Sequence, residues 1–245
     1  MLQRYGPDAV SVLDDEERRR FLDDAGRPLD HARLAWELLY RLEPGLYERL
    51  IAGERLHPAI SKWLPESCGT VAELGAGTGR LTLDIAPRCS RLVAMDPALP
   101  LLSALRRRLA EAGRTEVEVA RAFFDSIPVA GSSCDLVISC SAFTPDAERD
   151  PDASLNEMRR CCRPGGLIVI VWPNGLPWLD RHGFTRVAFE GPMAVEFASM
   201  EEALELSAIF YPHALDDVRR HGSPTVPYEM LGVNPPRDLC WLRVE

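Results

Sequence analysis

Short apolar runs separated by amphipathic stretches fill the middle of the chain. Residues 71–74 are an apolar run containing one acid, and glycines follow at alternate positions, which is typical of a buried strand that turns sharply into a helix. Apolar runs within residues 91–96, 131–140 and 167–172 predict further strands, and the last is rich in β-branched residues, as expected for a strand covered by helices on both faces. Between them, residues 97–112 predict a helix with leucines on one face.

The first 67 residues show helical spacing and no strand signal. Apolar residues recur at helical intervals from Ala32 to Leu42, and the pair Pro44-Gly45 ends this pattern. Further helices are expected over residues 47–56 and from Pro58 onward. We therefore predict a helical cap over residues 1–67, followed by a core domain over residues 68–245.

Residues 183–189 and 238–244 are expected to be the last two strands, and a long irregular region separates them where a short hairpin would suffice. Residues 200–210 are amphipathic, and Ser199 with Glu202 three residues later predicts a capped helix. Insertions at one end of a rigid sheet tend to carry substrate-specific parts. Residues 191–236 are therefore predicted to be a substrate-side insertion, with a dimer contact as the alternative.

Composition narrows the range of partners. The net charge of -9 in 245 residues offers no basic surface for a phosphate backbone, so nucleic acid is a poor substrate prediction. The chain has no run of apolar residues long enough to span a bilayer and no apolar leader at its N-terminus, so we expect a cytoplasmic protein without membrane contact. The seven cysteines form no C-x-x-C pair, and no metal site is predicted.

The glycine-rich turn is suited to a particular kind of ligand. Gly75, Gly77 and Gly79 permit positive φ angles and place no Cβ between the backbone and a ligand. A dinucleotide fold needs its third glycine three residues after the second, where this chain has Arg80. Glu73 would repel a pyrophosphate but would suit an ammonium group.

The pattern E-x-G-x-G-x-G at residues 73–79 resembles motif I of the class I S-adenosylmethionine-dependent methyltransferases. The stretches G-S-S-C-D-L-V at residues 131–137 and E-M-R-R-C-C-R-P-G-G at residues 157–166 resemble two later elements of that family, in the same order. The resemblance covers residues 69–172 and, more loosely, residues 183–244. It implies an α/β, Rossmann-like doubly wound fold with a seven-stranded, mostly parallel sheet in the order 3-2-1-4-5-7-6.

The resemblance also implies S-adenosylmethionine as the cofactor and S-adenosylhomocysteine as the product. Asp96 ends the second strand, where its carboxylate is placed to accept hydrogen bonds from a ribose diol. Residues 116–120 are expected to be the third strand. Many family members carry G-D-A-x-x-L-P after this strand, and its acid binds the adenine amino group; here Phe123 takes the place of that acid, with Asp125 the nearest carboxylate. The predicted cofactor-binding residues are Glu73, Gly75, Ala76, Gly77, Thr78, Gly79, Asp96, Pro97, Leu101, Ala122, Phe123, Phe124, Ser139 and Cys140.

The acceptor is expected to be a small molecule. Transfer from a sulfonium is an in-line displacement that needs alignment and a dry pocket, and a base helps only when the acceptor still holds a proton. The fourth strand ends in Cys140-Ser-Ala-Phe143 and lacks the N-P-P-Y of methyltransferases that act on nucleic-acid amino groups. The predicted acceptor contacts are Tyr40, Ser141, Phe143 and Trp172, and the weak candidates for a catalytic role are Tyr47, His57 and His213.

Three alternatives to a methyltransferase remain. The same turn would serve an S-adenosylmethionine-binding enzyme with different chemistry, or a regulatory protein that binds the cofactor without turnover. A nicotinamide-dependent oxidoreductase is disfavoured by Glu73 and Arg80. The chain is expected to be a monomer or a homodimer.

Overall fold

The computed structural model describes residues 4–145 and 150–245 of the chain. Within these ranges the chain divides into two compact units. One consists of residues 55–193 and 235–245 and contains the large sheet, and the other consists of residues 4–54 and 194–234.

The sheet unit contains seven strands, and its order confirms the predicted fold. Numbered along the whole chain, these are β1 (Gly69–Leu74), β2 (Cys89–Met95), β3 (Glu118–Ala120), β4 (Cys134–Cys140), β5 (Cys162–Val171), β6 (Thr185–Ala188) and β9 (Asp238–Arg243). Their order is β3-β2-β1-β4-β5-β9-β6; the first five run parallel, and β9 is antiparallel to both of its neighbours. Because β9 is the last sheet strand in chain order, this is the 3-2-1-4-5-7-6 arrangement.

Helices cover both faces of this sheet. They are α4 (Pro58–Trp63), α5 (Thr82–Ile85), α6 (Leu99–Glu111), α7 (Pro151–Cys161) and α8 (Leu176–Arg181). Val71 of β1 belongs to one apolar cluster with residues of α4, α5 and α6, whereas Ala72 belongs to a second cluster with residues of α7 and α8. Successive residues of a strand point to opposite faces, so the central strands are apolar at nearly every position.

The carboxyl ends of β1, β2, β4 and β5 meet at one edge of the sheet because these strands are parallel. We call it the carboxyl edge. The sequence predicts that the first core helix runs from Thr78 to about Ala86, whereas α5 begins at Thr82, so the turn after β1 is longer than expected. Residues 75–81 therefore form an extended turn at this edge.

The other unit joins segments from both ends of the chain. Its elements are α1 (Asp15–Phe21), α2 (His31–Leu42), α3 (Pro44–Ala52), β7 (Ala194–Glu196), α9 (Met200–Phe210), α10 (Leu215–His221), β8 (Thr225–Pro227) and α11 (Tyr228–Leu231). The guanidinium of Arg49 donates to the carboxylates of Glu202 and Glu205, and the Tyr211 hydroxyl donates to buried Glu54 at 2.8 Å. Contacts between residues far apart in sequence thus connect the first helices to residues 191–236, the region predicted to be an insertion. None of the helices in the described residues has the length and apolar character that a membrane span requires.

A buried ion cluster stabilises the helices of this second unit. Arg41 donates to Glu17 at 2.7 Å and to Glu37 at 2.8 Å, and all three side chains are less than a tenth exposed. Buried charges are tolerated only when they are paired. Losing the Arg41 cation removes the close ion-pair partner of Glu17 and leaves Glu37 with the longer pair to Arg33 at 3.4 Å.

We expect Arg41→Met to lower the free energy of unfolding by about 3–5 kcal/mol, measured by urea denaturation, because it breaks a buried ion cluster by removing one partner. The matched control is Arg20→Met, which breaks the more exposed pair with Glu16 and should cost less than about 1 kcal/mol. Equal losses from the two substitutions would show that burial of the Arg41 cluster has no special weight.

Candidate functional site

The turn after β1 can only be built from glycine at two of its positions. Gly75 and Gly79 have φ angles of 69° and 96°, in the region that side chains rarely adopt. A Cβ on Gly75 would overlap the Cβ of Ala142, and a Cβ on Gly79 would lie 2.6 Å from Cδ1 of Leu105. Glycine is therefore required here because Ala142 and Leu105 of the protein lie against the turn.

Several backbone N–H groups of this turn already have partners within the protein. Ala76 N–H donates to the carbonyl of Met95 at 2.9 Å, and Gly79 N–H donates to the carbonyl of Ala76 at 2.9 Å. Gly77 N–H donates to the Asp96 carboxylate at 3.0 Å. The turn is thus tied to the end of β2 rather than presenting these three amides to a ligand.

Asp96 connects the loops that follow β1 and β2. Its side chain is buried, with Oδ2 accepting from Gly77 N–H and Oδ1 accepting from Ala98 N–H at 2.8 Å. A carboxylate has about four acceptor positions, so it can accept from several donors at once. The position agrees with the ribose-binding role predicted for Asp96, which stays a prediction.

Glu73 is a buried acid on the central strand β1, one residue before the carboxyl end of that strand. It lies on β1 between Ala94 of β2 and Ile138 of β4, and it is only 1% exposed. The pKa of Glu73 is raised from 4.5 to about 8, mainly by burial; hydrogen bonding with Thr82 opposes this rise, and the nearby Asp96 charge contributes to it. Its Oε2 atom has no hydrogen-bond partner among the described residues, which is costly unless a ligand supplies one.

Two phenylalanines after β3 lie near different parts of the edge. The Arg121 guanidinium lies 5.6 Å from the Phe123 ring centroid, and its Nε donates to the carbonyl of Pro97 at 3.2 Å. The Phe124 ring contacts the ring of Phe143, with 5.5 Å between their centroids. Phe123 is thereby placed on the Asp96 side of the edge. Ala122 beside it is buried, and Asp125 is exposed.

The ends of β4 and β5 contain two residues in an unusual backbone conformation. Ser141 and Trp172 have φ angles of 54° and 50°, a conformation that costs a non-glycine residue about 1–3 kcal/mol. Backbone bonds fix both, from Ser141 N–H to the carbonyl of Val171 and from Trp172 N–H to the carbonyl of Asp238, each at 2.9 Å. Strain of this kind clusters at functional sites, so these two positions are candidates for ligand contact.

The remaining predicted residues of β4 differ in their surroundings. Ser139 is fully buried, and its Oγ atom has no hydrogen-bond partner in the described part of the chain. Cys140 is half-buried at the strand end. Phe143, predicted to contact the acceptor, is 4% exposed and packs against Phe124 and Trp178.

The predicted catalytic residues have structural contacts of their own. Nδ1 of His57 accepts from Ala59 N–H at 3.2 Å, which caps α4, and Nε2 of His213 lies 2.9 Å from the carbonyl oxygen of Leu231. Tyr40 and Tyr47 belong to the second unit, where their rings meet edge to face at 4.8 Å. Their roles in catalysis or acceptor binding stay predictions. Within residues 4–145 and 150–245, no three His, Cys, Asp or Glu side chains lie close enough to hold a metal ion.

Comparison with known proteins agrees with this geometry. Residues 71–166, which span β1 to the first part of β5, match the family model described as a methyltransferase domain. This part of the chain is a class I methyltransferase domain. The resemblance noted in the sequence is therefore confirmed.

The relatives are themselves little characterised. An uncharacterized methyltransferase of Mycobacterium tuberculosis is 35% identical over 130 residues, which cover 52% of this chain and 49% of the relative. An uncharacterized protein of the same organism is 30% identical over 146 residues, covering 58% of this chain and 47% of that protein. The chain thus spans about half the length of the curated relatives that it matches.

Solved structures share the fold at low sequence identity. The Haemonchus contortus phosphoethanolamine N-methyltransferase 2, solved with phosphomonomethylethanolamine and S-adenosylhomocysteine, superposes with a TM-score of 0.52 at 16% identity, covering 83% of this chain and 58% of that one. A chain from the complex of the Haloferax volcanii Trm112 methyltransferase activator with a candidate methyltransferase gives a TM-score of 0.51 at 18% identity, covering 82% and 92%. Both are similar in fold, and the identities are too low to transfer an acceptor.

Near the edge of the methyltransferase domain, Leu99 lies within the stretch 97–101 that the sequence predicts to border the nucleoside, whereas the contact of Arg80 was missed. Leu101, predicted to border the nucleoside, is 2% exposed, whereas Leu99, two residues earlier, is 55% exposed at the start of α6. Arg80, noted only as a missing glycine, lies over the Trp172 ring with 5.3 Å between Cζ and the ring centroid. An apolar residue soon after Asp96-Pro97 was the available signal for Leu99, whereas the Arg80 contact joins residues too far apart in sequence to predict.

The raised pKa of Glu73 predicts a stability effect in the methyltransferase domain. Between pH 4.5 and about 8 the folded protein keeps a proton that the unfolded chain has lost, so the stability present below pH 4.5 falls as the pH rises toward 8. Glu73→Gln carries no ionisable group at this position and so does not lose stability in this way. The free energy of unfolding of the variant minus that of wild type, measured by denaturant titration, should therefore be higher at pH 9 than at pH 5 by a few kcal/mol. The control Glu111→Gln changes an acid whose side chain is 67% exposed and should show almost no difference between the two pH values. A pH-independent effect of Glu73→Gln would mean that Glu73 is ionised when buried.

Proposed function

We propose that this protein is an S-adenosylmethionine-dependent methyltransferase that acts on a small-molecule acceptor. The observation that carries the proposal is the pairing, at one edge of the sheet, of buried Glu73 on β1 with Asp96 at the end of β2. The two acids complement the two polar ends of the cofactor, since its amino-acid end carries an ammonium group and its ribose carries two hydroxyls.

Glu73 suits the ammonium group. A buried acid with a pKa of about 8 is mostly protonated at neutral pH, which avoids an isolated buried charge. An arriving ammonium favours the ionised carboxylate, and the pair it forms is charge-assisted. Binding should therefore remove the proton from Glu73.

Asp96 suits the ribose. Gly77 N–H and Ala98 N–H hold its two oxygens in place, so the carboxylate is positioned before a ligand arrives. A carboxylate in this position is a suitable acceptor for the two hydroxyls of a ribose diol. Next to it, exposed Leu99 and half-buried Phe123 offer apolar contact to a purine ring.

The end of β4 suits the reacting methyl group. When bound, the cofactor supplies a sulfonium-activated methyl that needs no covalent help from the protein. Ser139 lies on β4 opposite Leu74 of β1, and Cys140 and Ser141 follow it at the carboxyl edge. These residues align the acceptor and exclude water, which is the main requirement of an in-line displacement. Trp172 on the adjacent strand end is the proposed wall on the acceptor side.

A small-molecule acceptor fits the charge of the chain. The net charge of -9 gives no general attraction for nucleic acid, and the fourth strand lacks the N-P-P-Y pattern. Incubation with S-adenosylmethionine and a panel of small amines, phenols, carboxylic acids and thiols should yield S-adenosylhomocysteine with at least one class. A protein that binds the cofactor but produces none with any class would be a binder and not an enzyme for small acceptors.

Calorimetry tests the cofactor site directly. We expect S-adenosylhomocysteine to bind and NAD not to bind. Removing both ribose hydroxyls from the ligand should weaken binding by about 10- to 100-fold, because a hydrogen bond to a charged group contributes about 1.5–3 kcal/mol. In Asp96→Asn this penalty should shrink sharply. If wild type binds the dideoxy ligand as tightly as the parent, Asp96 does not bind the ribose.

Proton release tests Glu73. At pH 7 binding of S-adenosylhomocysteine should release close to one proton, since Glu73 with a pKa of about 8 gives up its proton while the ligand amine keeps its own. The number comes from titrations in two buffers of different ionisation enthalpy. Glu73→Gln should bind more weakly and release none. Release that persists unchanged in Glu73→Gln would assign the proton to another group.

A further inference from the structure

Two cysteines lie side by side where β1 and β2 begin. Cys68 directly precedes β1, and Cys89 is the first residue of β2 and the register partner of Gly69. The N–H group of Cys68 donates to the carbonyl of Arg88 at 2.9 Å, which fixes the two backbone segments next to each other. Neighbouring strands lie about 4.8 Å apart, and disulfides join Cα atoms about 4.4–6.8 Å apart. The backbone therefore has a spacing that a disulfide can bridge.

The two side chains are in contact as well. The thiols share a hydrogen bond, and both side chains pack in the same apolar cluster. Sγ of Cys68 lies 3.4 Å from the carbonyl oxygen of Pro65, and Sγ of Cys89 lies 3.2 Å from that of Ile85. All seven cysteines are free thiols in this structure. Because these two sulfurs already meet, a bond between them needs only side-chain rotation.

The surroundings of the pair favour the ionised form of one thiol. The hydrogen bond from Cys89 holds the pKa of Cys68 below its ordinary value against the effect of burial, and the nearby Arg88 charge contributes to the lowering. The same hydrogen bond raises the pKa of Cys89, so the pair keeps one proton and loses the other more easily than an isolated thiol. The Arg88 guanidinium is held there by donating to the carbonyl and hydroxyl oxygens of Ser61. Cys89 is half-buried, so a small oxidant can reach the pair.

A second pair of cysteines has neighbouring positions but different surroundings. Cys134 on β4 is the register partner of Cys162 on β5. Both residues are 1% exposed, and burial raises the pKa of each thiol. Thiols that are protonated and shielded from solvent react slowly, so an oxidant should distinguish the two pairs.

We propose that Cys68 and Cys89 are a redox-active pair, which hydrogen peroxide converts into a disulfide joining the amino ends of β1 and β2. One sulfur attacks the peroxide as a thiolate, the O–O bond breaks, and a sulfenic acid forms as hydroxide leaves. The second sulfur gives up its proton and attacks the sulfenic sulfur, forming the S–S bond and expelling a second hydroxide. The protons of the two thiols convert both hydroxides to water, so two thiols lose two electrons and the peroxide gains them. Dithiothreitol reverses the change, since its own two thiols become a disulfide as the cysteines regain their protons.

The expected consequence is greater stability. The bond closes a loop of about 20 residues and so restricts the unfolded chain. The melting temperature of the oxidised protein should lie about 5–10 °C above that of the reduced protein. The inference does not rest on the proposed function, because it concerns the amino ends of the strands and not the carboxyl edge.

Peptide mapping tests the proposal. The native protein is treated with hydrogen peroxide, its remaining thiols are blocked with N-ethylmaleimide in denaturant, and its peptides are analysed by mass spectrometry. The main cross-link should join Cys68 to Cys89, and dithiothreitol should remove it. Peroxide should raise the melting temperature of wild type but not that of Cys68→Ser. The matched control is Cys134→Ser, which should keep both the cross-link and the rise.

The mapping of wild type decides the matter even if no variant folds. Recovery of Cys68 and Cys89 as blocked thiols, as separately oxidised sulfinic acids or in disulfides with other cysteines would overturn the proposal. A Cys68–Cys89 cross-link without any rise in melting temperature would overturn its stabilising role. An equal rise in Cys68→Ser would contradict that role too, because the variant cannot form the bond.

Discussion

The Asp96 carboxylate holds the candidate site together. By accepting from Gly77 N–H and Ala98 N–H, it joins the turn after β1 to the loop after β2. The tight packing of Gly75 on Ala142 and of Gly79 on Leu105 fixes the same turn from two other directions. A ligand that binds there meets a surface whose shape is already set, so little ordering opposes its binding.

Charge is distributed unevenly along this edge. Glu73 is buried and has a pKa near 8, Asp96 is neutralised in part by backbone donors, and Arg80 is stacked on Trp172. Groups whose protonation or orientation is adjusted by burial are common at ligand sites, because they complement charges that only the ligand brings. Along the edge, a buried acid on β1, a carboxylate after β2 and a guanidinium after the glycine turn thus follow one another.

Local patterns made part of this site predictable. The glycine spacing, Glu73 and Asp96 could be read from the chain because each depends on residues near it in sequence and on the alternation of parallel strands. The α5 start at Thr82 was missed because Asp96, distant in sequence, ties down the turn before it. Contacts such as Arg80 with Trp172, or Arg49 with Glu202, depend on tertiary packing and have no local signature.

The most direct measurement is a crystal structure of the protein with S-adenosylhomocysteine. We expect the ribose hydroxyl oxygens about 2.6–3.0 Å from the Asp96 carboxylate, with the ligand's amino-acid end beside Glu73 on the β4 side of β1. A ligand bound in the reverse direction, or at any site away from the carboxyl ends of β1 and β2, would contradict the assignment of this edge.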